Sequence, residues 1–219
     1  MSDDQFIKLT QEQMSILENI EKIINDKDLP DSYPSFINQS RDSRLFALRG
    51  SFINLMGFVL LSKDWIKDLS QWVGNRRCLE VMAGLGALSY GLRKQGVEII
   101  ATDDYSWKKE NEALSHNRMW IHIEALDAVE SIEKYGRTIE IIIMSWPPYN
   151  DEIAIKVLRK MREVNPSCIM IYIGEEEGGC TANDEFFRNI EIIEDKFFNA
   201  ANQNFISWSL INDRPILIR

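Results

Sequence analysis

The sequence predicts an α/β protein whose sheet is mostly parallel, with helices on both faces. Three observations support this prediction. From Asn75 onward short apolar runs alternate with helical segments, which is the pattern of βαβ units. The runs at residues 139–144 and 168–173 are almost wholly apolar, as expected of strands buried on both faces. A turn containing two glycines follows the first apolar run and precedes a helix.

The predicted sheet domain covers residues 75–219 and alternates strands with helices. Its strands are predicted at residues 78–82, 97–102, 119–125, 139–144 and 168–173, with two closing strands at residues 205–210 and 215–218. Its helices are predicted at residues 88–95, 107–118, 128–135, 151–164 and 184–198. No internal repeat interrupts this alternation.

Residues 1–74 are predicted to form a helical extension ahead of the sheet domain. Its helices are expected at residues 10–25, 43–61 and 62–73. Thr10 followed by Gln13 fits an N-terminal capping box, and Ser62 fits the N-cap of the third helix. This extension is expected to cover a cofactor or the mouth of an acceptor site.

Composition narrows the partners and the compartment. The chain has 219 residues, 45% of them hydrophobic, and a formal net charge of −9, which disfavours nucleic acid as a partner. The start of the chain has no basic and apolar leader, and the apolar stretch at residues 52–61 is too short for a membrane span. We therefore expect a cytoplasmic protein that acts on a small molecule or a protein and not at a membrane. The sequence does not specify an oligomeric state.

No metal site is predicted from the cysteines and histidines. The three cysteines are widely spaced, and two of them, Cys78 and Cys168, lie in apolar runs where a thiol behaves as a small hydrophobe. The two histidines, His116 and His122, lie in a polar helical segment and in a predicted strand, so they do not form a ligand set.

The turn that follows the first strand, residues 80–86, is the first candidate ligand site. A glycine-rich turn lets the backbone approach a ligand closely, and it points the N–H groups of the next helix at that ligand. Glu80 stands at the end of the apolar strand, where a charge needs a polar partner. A tight turn without any ligand would use the same glycines, and that alternative stays open.

Two further carboxylates follow the next two strands. Asp103 ends the second strand, near the spacing at which a dinucleotide-type fold places the acid that binds ribose hydroxyls. Asp127 follows the third strand, where an acid can accept a hydrogen bond from the exocyclic amine of adenine. A solvated strand end for Asp103 and an N-cap role for Asp127 are the alternatives.

Residues 75–219 resemble class I S-adenosylmethionine-dependent methyltransferases. In that family an acid ends the first strand and a Gly-x-Gly-x-Gly turn follows. Gly84 and Gly86 match the last two glycines, whereas Met82 occupies the position of the first. The resemblance implies a three-layer Rossmann-like methyltransferase sheet, mostly parallel with an antiparallel C-terminal strand. Nicotinamide dehydrogenases place their acid only after the second strand, so Glu80 ahead of the turn favours the methyl donor.

The resemblance also implies S-adenosyl-L-methionine as the cofactor and a role for each carboxylate. Glu80 would reach the amino group of the methionine moiety, Asp103 would hold the ribose, and Asp127 would face the adenine. The full predicted cofactor site comprises Glu80, Met82, Ala83, Gly84, Gly86, Asp103, Asp127 and Ala128.

A second motif, Ser-Trp-Pro-Pro-Tyr at residues 145–149, follows the fourth predicted strand. It resembles the amino-methyltransferase motif in which Asp, Asn or Ser precedes Pro-Pro and an aromatic residue follows. Trp146 departs from that pattern because it precedes Pro147 directly and displaces Ser145 by one position. The candidate catalytic residues are Ser145, Trp146, Pro147 and Tyr149, with Trp146 and Tyr149 as an aromatic clamp. A hydrophobic lid without chemistry is the alternative.

The leading functional hypothesis is an S-adenosylmethionine-dependent methyltransferase that acts on an amine nitrogen of a small molecule or protein. The alternative is a catalytically inactive methyltransferase-like module with a binding or regulatory role. A third possibility is an oxidoreductase or another enzyme with an adenosine-containing ligand on a similar sheet. The acidic loop at Glu175–Glu177 could recognise a cationic substrate, or it could simply be solvated.

Overall fold

The computed structural model describes residues 8–109 and 118–219. In them the α-helices are α1 (Gln11–Asn25), α2 (Phe36–Gln39), α3 (Arg44–Met56), α4 (Lys63–Val73), α5 (Ala87–Lys94), α6 (Ala128–Tyr135), α7 (Ile153–Val164), α8 (Asp184–Asn189) and α9 (Lys196–Ala201). The strands are β1 (Cys78–Val81), β2 (Ile99–Asp103), β3 (Glu124–Ala125), β4 (Ile141–Ser145), β5 (Ile169–Gly174) and β6 (Arg214–Ile218).

The six strands form one sheet in the order β3-β2-β1-β4-β5-β6. Strands β1 to β5 run parallel to their neighbours, and β6 runs antiparallel to β5. This arrangement confirms the architecture of the predicted fold class, a mostly parallel Rossmann-like sheet with an antiparallel C-terminal strand. The turn after β1 therefore lies at the centre of the sheet's carboxyl edge, where open α/β sheets bind ligands.

Strand β4 shows why the molecule has three layers. Ile141 and Ile143 belong to the hydrophobic core on one face of the sheet, whereas Ile142 and Met144 belong to the core on the other. All four side chains are fully buried. Because successive side chains of a strand point to opposite faces, a continuous apolar run requires helices above and below it.

The N-terminal helices pack against one face of this sheet. Leu17 of α1, Phe52 of α3 and Trp65 of α4 lie in the same hydrophobic core as Ile141 and Ile143 of β4. The capping box at the start of α1 is confirmed. The Thr10 hydroxyl accepts from the backbone N–H of Gln13, and Oε1 of Gln13 accepts from the backbone N–H of Thr10. The division into an extension (1–74) and a sheet domain (75–219) stays a prediction.

The predicted helix at residues 43–61 is shorter in the structure, which corrects its C-terminal boundary. Helix α3 ends at Met56, and Gly57 follows with φ +104°, a backbone conformation that favours glycine. The apolar residues beyond it, including Phe58 and Leu61, therefore form an irregular segment and not a helical stripe.

Two predictions near the C-terminus are wrong. The helix predicted at residues 184–198 is two short helices, α8 and α9, and the segment between them hydrogen-bonds along the outer edge of β6. Residues 205–210 form no strand, because their aromatic side chains pack on the N-terminal helices: Phe205 contacts the Trp65 ring edge-on, and Trp208 contacts Phe52. The edge that this strand would have joined is already occupied by residues 191–193.

The region around residues 104–125 also differs from expectation. The strand predicted at residues 119–125 is reduced to the two residues of β3. Of the helix predicted at residues 107–118, the structure shows a 3₁₀ turn at Ser106–Lys109, and residues 110–117, with His116, lie outside the described residues. None of the helices in the described ranges combines the length and apolar character needed to cross a membrane.

Candidate functional site

A cavity of about 750 Å³ opens at the carboxyl ends of β1 to β4. Such a volume lies in the usual range for small-molecule sites. Its floor is formed by residues that follow four successive strands, and its roof by the segment that joins α3 to α4. Its lining includes Phe58, Glu80, Met82, Ala83, Gly84, Asp103, Asp104, Asp127, Ala128, Ser145, Trp146, Pro148 and Asp151.

The turn between β1 and α5 has three residues in the left-handed backbone region. They are Met82 (φ +54°), Gly84 (φ +58°) and Gly86 (φ +75°). The positive φ of Met82 explains why the resembling family has glycine there, because a side chain in this conformation costs about 1–2 kcal/mol. The structure therefore keeps the tight turn despite the substitution, and the Met82 side chain becomes part of the cavity wall.

The two glycines of this turn have different roles. A Cβ on Gly84 would meet nothing within 4 Å, so the backbone at Gly84 faces open cavity space. A Cβ on Gly86 would come within 2.8 Å of Ile121 and 2.9 Å of Ile123. Gly84 thus leaves room for a ligand, whereas Gly86 lets the segment that leads into β3 pack against the helix start. Gly86 does not line the cavity, and its predicted role there stays a prediction.

Glu80 is a buried carboxylate, only 3% exposed, at the end of β1. One of its oxygens, Oε2, accepts hydrogen bonds from the backbone N–H (3.1 Å) and the hydroxyl of Ser89 in α5. Burial raises the pKa of this carboxyl to about 7, although the Ser89 bonds oppose the rise. The polar partner that the sequence required for this charge is therefore Ser89, and the carboxyl also lines the cavity.

Asp103 connects the end of β2 to the glycine turn. Its Oδ2 accepts from the backbone N–H of Gly84 at 2.8 Å. Its Oδ1 accepts from the backbone N–H of Tyr105 at 2.7 Å and from the Trp107 indole Nε1 at 2.9 Å. Burial raises the pKa of this carboxyl, and these three hydrogen bonds counteract the rise. Asp103 is thus an organised, buried acid on the cavity, not a solvated strand end.

Asp127 is the N-cap of α6, and its Oδ1 accepts from the backbone N–H of Val129 at 2.8 Å. The capping alternative considered for this residue is therefore present in the structure. Asp127 and Ala128 also line the cavity, on the side of β3. A capping carboxylate retains free acceptor positions, so the cap and a contact with a ligand are compatible. Ala83 completes the lining next to Gly84, and its N–H donates to the Thr102 carbonyl.

The structure brings together only part of the predicted acceptor site. Ser145 and Trp146 line the cavity, as does Pro148, but Pro147 and Tyr149 do not. Tyr149 is 68% exposed, so the predicted clamp between Trp146 and Tyr149 is wrong. The ring stacked on Trp146 is instead Phe58, with centroids 5.0 Å apart and planes 12° apart.

Pro147 and Tyr149 are displaced from the cavity by the way residues 146–151 turn. Trp146 has φ +49°, which redirects the chain directly after β4. The Pro147 carbonyl accepts from the N–H of Ala182 at 3.3 Å, and the N–H of Asn150 donates to the Ala182 carbonyl at 2.7 Å. The segment at Pro147 is therefore fastened to the loop that follows β5, while Pro148 still lines the cavity.

Trp146 is held from several sides. Its indole Nε1 donates to Oδ2 of Asp213 at 3.0 Å, and its backbone N–H donates to the Ile173 carbonyl at 2.7 Å. The Arg49 guanidinium lies over the indole, 5.6 Å from the ring centroid. Asp213 is itself buried, and burial raises the pKa of its carboxyl. Sequence patterns did not identify Asp213 or Arg49, because their contacts join residues far apart in the chain.

The acidic loop after β5 is partly structural. Although burial opposes ionisation, backbone donors hold the pKa of Glu175 below its ordinary value. These donors are the N–H of Asn212, at 3.0 Å from Oε1, and the N–H of Cys180, at 2.7 Å from Oε2. Glu176 pairs with Arg214 at the surface. Glu175 therefore connects this loop to the segment that enters β6, and it does not line the cavity.

The ionisable side chains known to line the cavity are all carboxylic acids. Its lining carboxylates are Glu80, Asp103, Asp104, Asp127 and Asp151, and within the described part of the chain no Lys, Arg or His lines it. Aligned carboxylates attract cationic ligands and repel anionic ones, and the effect is stronger in a partly enclosed site. The cavity is therefore suited to a ligand that carries positive charge.

Comparison with known proteins finds similarity among solved structures only. No protein-family model matches the sequence, and no curated protein matches it. The solved structures similar to this chain include a SAM-dependent methyltransferase from Archaeoglobus fulgidus, at 11% identity and a TM-score of 0.41 over 72% of this chain and 94% of that one. The magnesium protoporphyrin IX methyltransferase from Synechocystis with bound SAM is similar at 10% identity, a TM-score of 0.42, and 96% and 98% coverage.

A third similar structure is the mitomycin 7-O-methyltransferase, at 12% identity and a TM-score of 0.47 over 94% of this chain and 67% of that one. At such identities and scores, these similarities support no inference about substrate or activity. The class of fold rests on the strand order and directions described above.

Proposed function

We propose that this protein is an S-adenosylmethionine-dependent methyltransferase. The observation that carries the proposal is the convergence of Glu80, Asp103 and Asp127 on one cavity around an open glycine turn. These acids lie at the carboxyl ends of β1, β2 and β3, so they form a row of acceptors along that edge of the sheet. The row fits a ligand with an amino group at one end and a ribose and adenine beyond it.

The residues present fit this ligand better than a dinucleotide. S-adenosylmethionine carries a sulfonium and an ammonium group, and both are attracted by carboxylates. A dinucleotide carries a pyrophosphate, which no described cationic side chain of the cavity could neutralise. Gly84 leaves space beside the backbone of the turn, where the resembling family admits the methionine moiety. The carboxylates of the lining, with Glu80 ahead of the turn, would repel that pyrophosphate and therefore support the methyl donor over an oxidoreductase cofactor.

S-adenosylmethionine, when bound, would supply an electrophilic methyl group. The protein's task is then to hold an acceptor in line with that group and to exclude water. Ser145, Trp146 and Pro148 follow β4, beyond the row of acids, and they would form the acceptor side. An amine acceptor must release a proton, and the Asp151 carboxylate on the same side is a base that could take it. We therefore propose an amine nitrogen of a small molecule or protein as the acceptor.

Thermal unfolding with separate additions of S-adenosylmethionine, its demethylated product S-adenosylhomocysteine, and NAD tests the cofactor assignment. A ligand at one hundred times its dissociation constant stabilises the folded state by about 2.7 kcal/mol. For a chain of this length that corresponds to a rise in Tm of roughly 5–10 °C. We expect both sulfur nucleotides to raise the Tm and NAD to leave it unchanged. No rise with either sulfur nucleotide at millimolar concentration would refute the proposal.

Asp103→Asn is the informative variant, and Asp104→Asn is its matched control one residue away. Asp103 is buried and linked to the glycine turn, whereas Asp104 is exposed. We expect Asp103→Asn to weaken S-adenosylhomocysteine binding at least tenfold and Asp104→Asn to change it less than threefold. Circular dichroism checks that both variants are folded. Equal losses in the two variants would contradict the role assigned to Asp103.

The alternative of a catalytically inactive binding module rests on Trp146. This residue stands where the resembling motif has a polar side chain, and it is fixed there by Asp213 and Phe58. Methyl transfer from radiolabelled S-adenosylmethionine to a mixture of primary and secondary amines separates the two functions. Nucleotide binding without any transfer would favour the module.

A further inference from the structure

The acceptor side of the cavity is formed by two stacked rings from distant parts of the chain. Phe58 belongs to the segment after α3, and Trp146 directly follows β4. Their rings are nearly parallel, and both residues line the cavity. Phe58 is 43% exposed although it is a large apolar side chain, so part of its surface is left for another group. We call this stacked pair of rings the Phe58–Trp146 wall.

Contacts with neighbouring side chains fix the orientation of Trp146 in the Phe58–Trp146 wall without a bound ligand. Asp213 accepts from the indole nitrogen, and Arg49 covers the indole ring. A side chain that is already held in one orientation loses little conformational entropy when a ligand binds. The Phe58–Trp146 wall therefore favours ligands that fit this one orientation. Oδ1 of Asp213 has no hydrogen-bond partner among the described residues, and Trp146 Nε1 bonds only Oδ2. Asp213 is therefore a positioning residue for Trp146.

The charge beside this wall excludes one class of ligand. Asp151 lines the cavity on the same strand end as Trp146. The cation nearest to the wall, Arg49, is outside the lining, and the charges of Asp213 and Glu175 act on it. Because Phe58 and Arg49 both lie over the Trp146 indole, the ring surface left for a ligand is that of Phe58. The charge beside it is that of Asp151. Both favour a cation, because the face of an aromatic ring also attracts positive charge.

We propose that the Phe58–Trp146 wall is a binding site for an arylalkylamine, a flat aromatic ring with a positively charged amine arm. This inference rests on the proposed function and names the class of acceptor for that same site. It assigns the ring contact to Phe58, a residue of the N-terminal region, and not to Tyr149 of the Pro-Pro-Tyr motif. The amine arm is directed to the carboxylate side, toward Asp151, which would take one proton from the ammonium. The neutral amine would then attack the methyl group, displace S-adenosylhomocysteine and leave as the methylated ammonium.

Three probes of similar size separate ring shape from charge. Benzylamine has a flat ring and a positive charge, cyclohexylmethylamine has the charge without the flat ring, and benzoate has the flat ring with a negative charge. Ligand-observed NMR titration of the full chain, saturated with S-adenosylhomocysteine, gives the dissociation constant of each. We expect benzylamine to bind at least fivefold more tightly than cyclohexylmethylamine and at least tenfold more tightly than benzoate. Equal affinities for all three would overturn the inference.

Variants then test which aromatic residue makes the contact. Phe58→Leu should weaken benzylamine at least fivefold and remove its advantage over cyclohexylmethylamine. Two matched controls are Phe46→Leu, an exposed phenylalanine of α3 outside the cavity, and Tyr149→Leu. Both should leave benzylamine binding within twofold of the unmodified protein. A loss in Tyr149→Leu but not in Phe58→Leu would overturn the assignment.

The same titrations distinguish failure of this inference from failure of the proposed function. S-adenosylhomocysteine affinity is measured first in every variant, and Phe58→Leu should leave it within threefold. The benzylamine titration is also repeated without nucleotide. If the nucleotide does not bind but the preference for benzylamine persists, the cofactor proposal fails and the amine site stands. If the nucleotide binds and the probes are not distinguished, the amine site fails alone.

Discussion

Glu80 has a structural role in the fold, and a binding role is proposed for the same carboxyl group. Its bonds with Ser89 fasten the end of β1 to α5, and its position on the cavity exposes it to a ligand. Because burial raises its pKa to about 7, the group is partly protonated near neutral pH. A cation bound beside it would favour the ionised form. Ligand binding and proton release are therefore linked at this residue.

Glu80→Gln should make the protein more stable at pH 8 and change little at pH 5. The pKa of Glu80 is about 7 in the folded state against an ordinary value of 4.5, so the folded state binds more protons between these values. The unmodified protein thus loses stability as pH rises through this window, by up to about 3 kcal/mol. Glutamine stays neutral, and its carbonyl can still accept from Ser89. Urea unfolding at the two pH values measures the difference.

Glu130→Gln, at an exposed position of α6, is the control for this measurement. It should shift the free energy of unfolding by a similar small amount at both pH values. If Glu80→Gln behaves in the same way as Glu130→Gln, the carboxyl of Glu80 is ionised throughout the range and the pKa assigned to it is wrong.

At the level of single residues, the sequence predicted the acids of the site better than its rings. Glu80, Asp103 and Asp127 could be found because each follows a predicted strand, and parallel strands end at one edge. Phe58 could not, because it was assigned to a continuous helix and its contact is with Trp146, which lies far from it in the sequence. Only the glycine at residue 57 hinted that the helix ends before it.

At the level of elements, the turn between β1 and α5 depends on two glycines for different reasons. Gly84 has open space at its Cβ position, and Gly86 is closed in by Ile121 and Ile123. Both have positive φ, so any side chain adds backbone strain at either position. Only at Gly86 would a side chain also displace neighbours.

Gly86→Ala should therefore destabilise the fold more than Gly84→Ala. We expect a loss of about 2–4 kcal/mol at Gly86, from strain and overpacking together, and about 1 kcal/mol at Gly84. Urea unfolding of the two variants gives both values. The order should be reversed for ligand binding, because the Cβ of Gly84→Ala enters the cavity. A larger stability loss in Gly84→Ala would contradict the packing described for this turn.

The elements that were predicted incorrectly from the sequence are those whose apolar residues pack against residues far away in the chain. Residues 205–210 alternate like a strand, yet the half-buried Phe205 packs on α4 and the buried Trp208 packs on α3. The boundaries of the central strands were predicted to within two residues, because a fully apolar run is stable only where both of its faces are buried. The local sequence pattern therefore identified the central strands, whereas the structure at the two edges of the sheet depends on tertiary packing.

At the level of the whole molecule, the N-terminal helices and the sheet share one hydrophobic core. Side chains of α1, α3 and α4 meet the face of β4 that carries Ile141 and Ile143. Polar bonds also cross the boundary: the Trp65 indole donates to Asn202 at 2.8 Å, and the Trp120 indole donates to the Leu55 carbonyl at 2.7 Å. Residues on both sides of position 74 therefore depend on each other for burial.

We expect the protein to unfold in a single cooperative transition. Thermal curves from tryptophan fluorescence and from far-ultraviolet circular dichroism should coincide. Trp65→Ala, which removes a fully buried ring, should lower that one transition by roughly 10 °C without splitting it. Two separated transitions would instead show that residues 1–74 fold as an independent unit.

The segment between α8 and α9 has a consequence for the behaviour of the protein in concentrated solution. The N–H of Ile193 donates to the Leu217 carbonyl and the N–H of Arg219 donates to the Glu191 carbonyl, both at 2.8 Å, so the outer side of β6 is occupied. At the opposite margin β3 has only two residues. Open strand edges are where sheets of separate molecules join into aggregates. With the β6 edge covered, the backbone left for a stray strand lies at the other margin, on the two residues of β3 and on residues 99–101 of β2, which β3 does not pair.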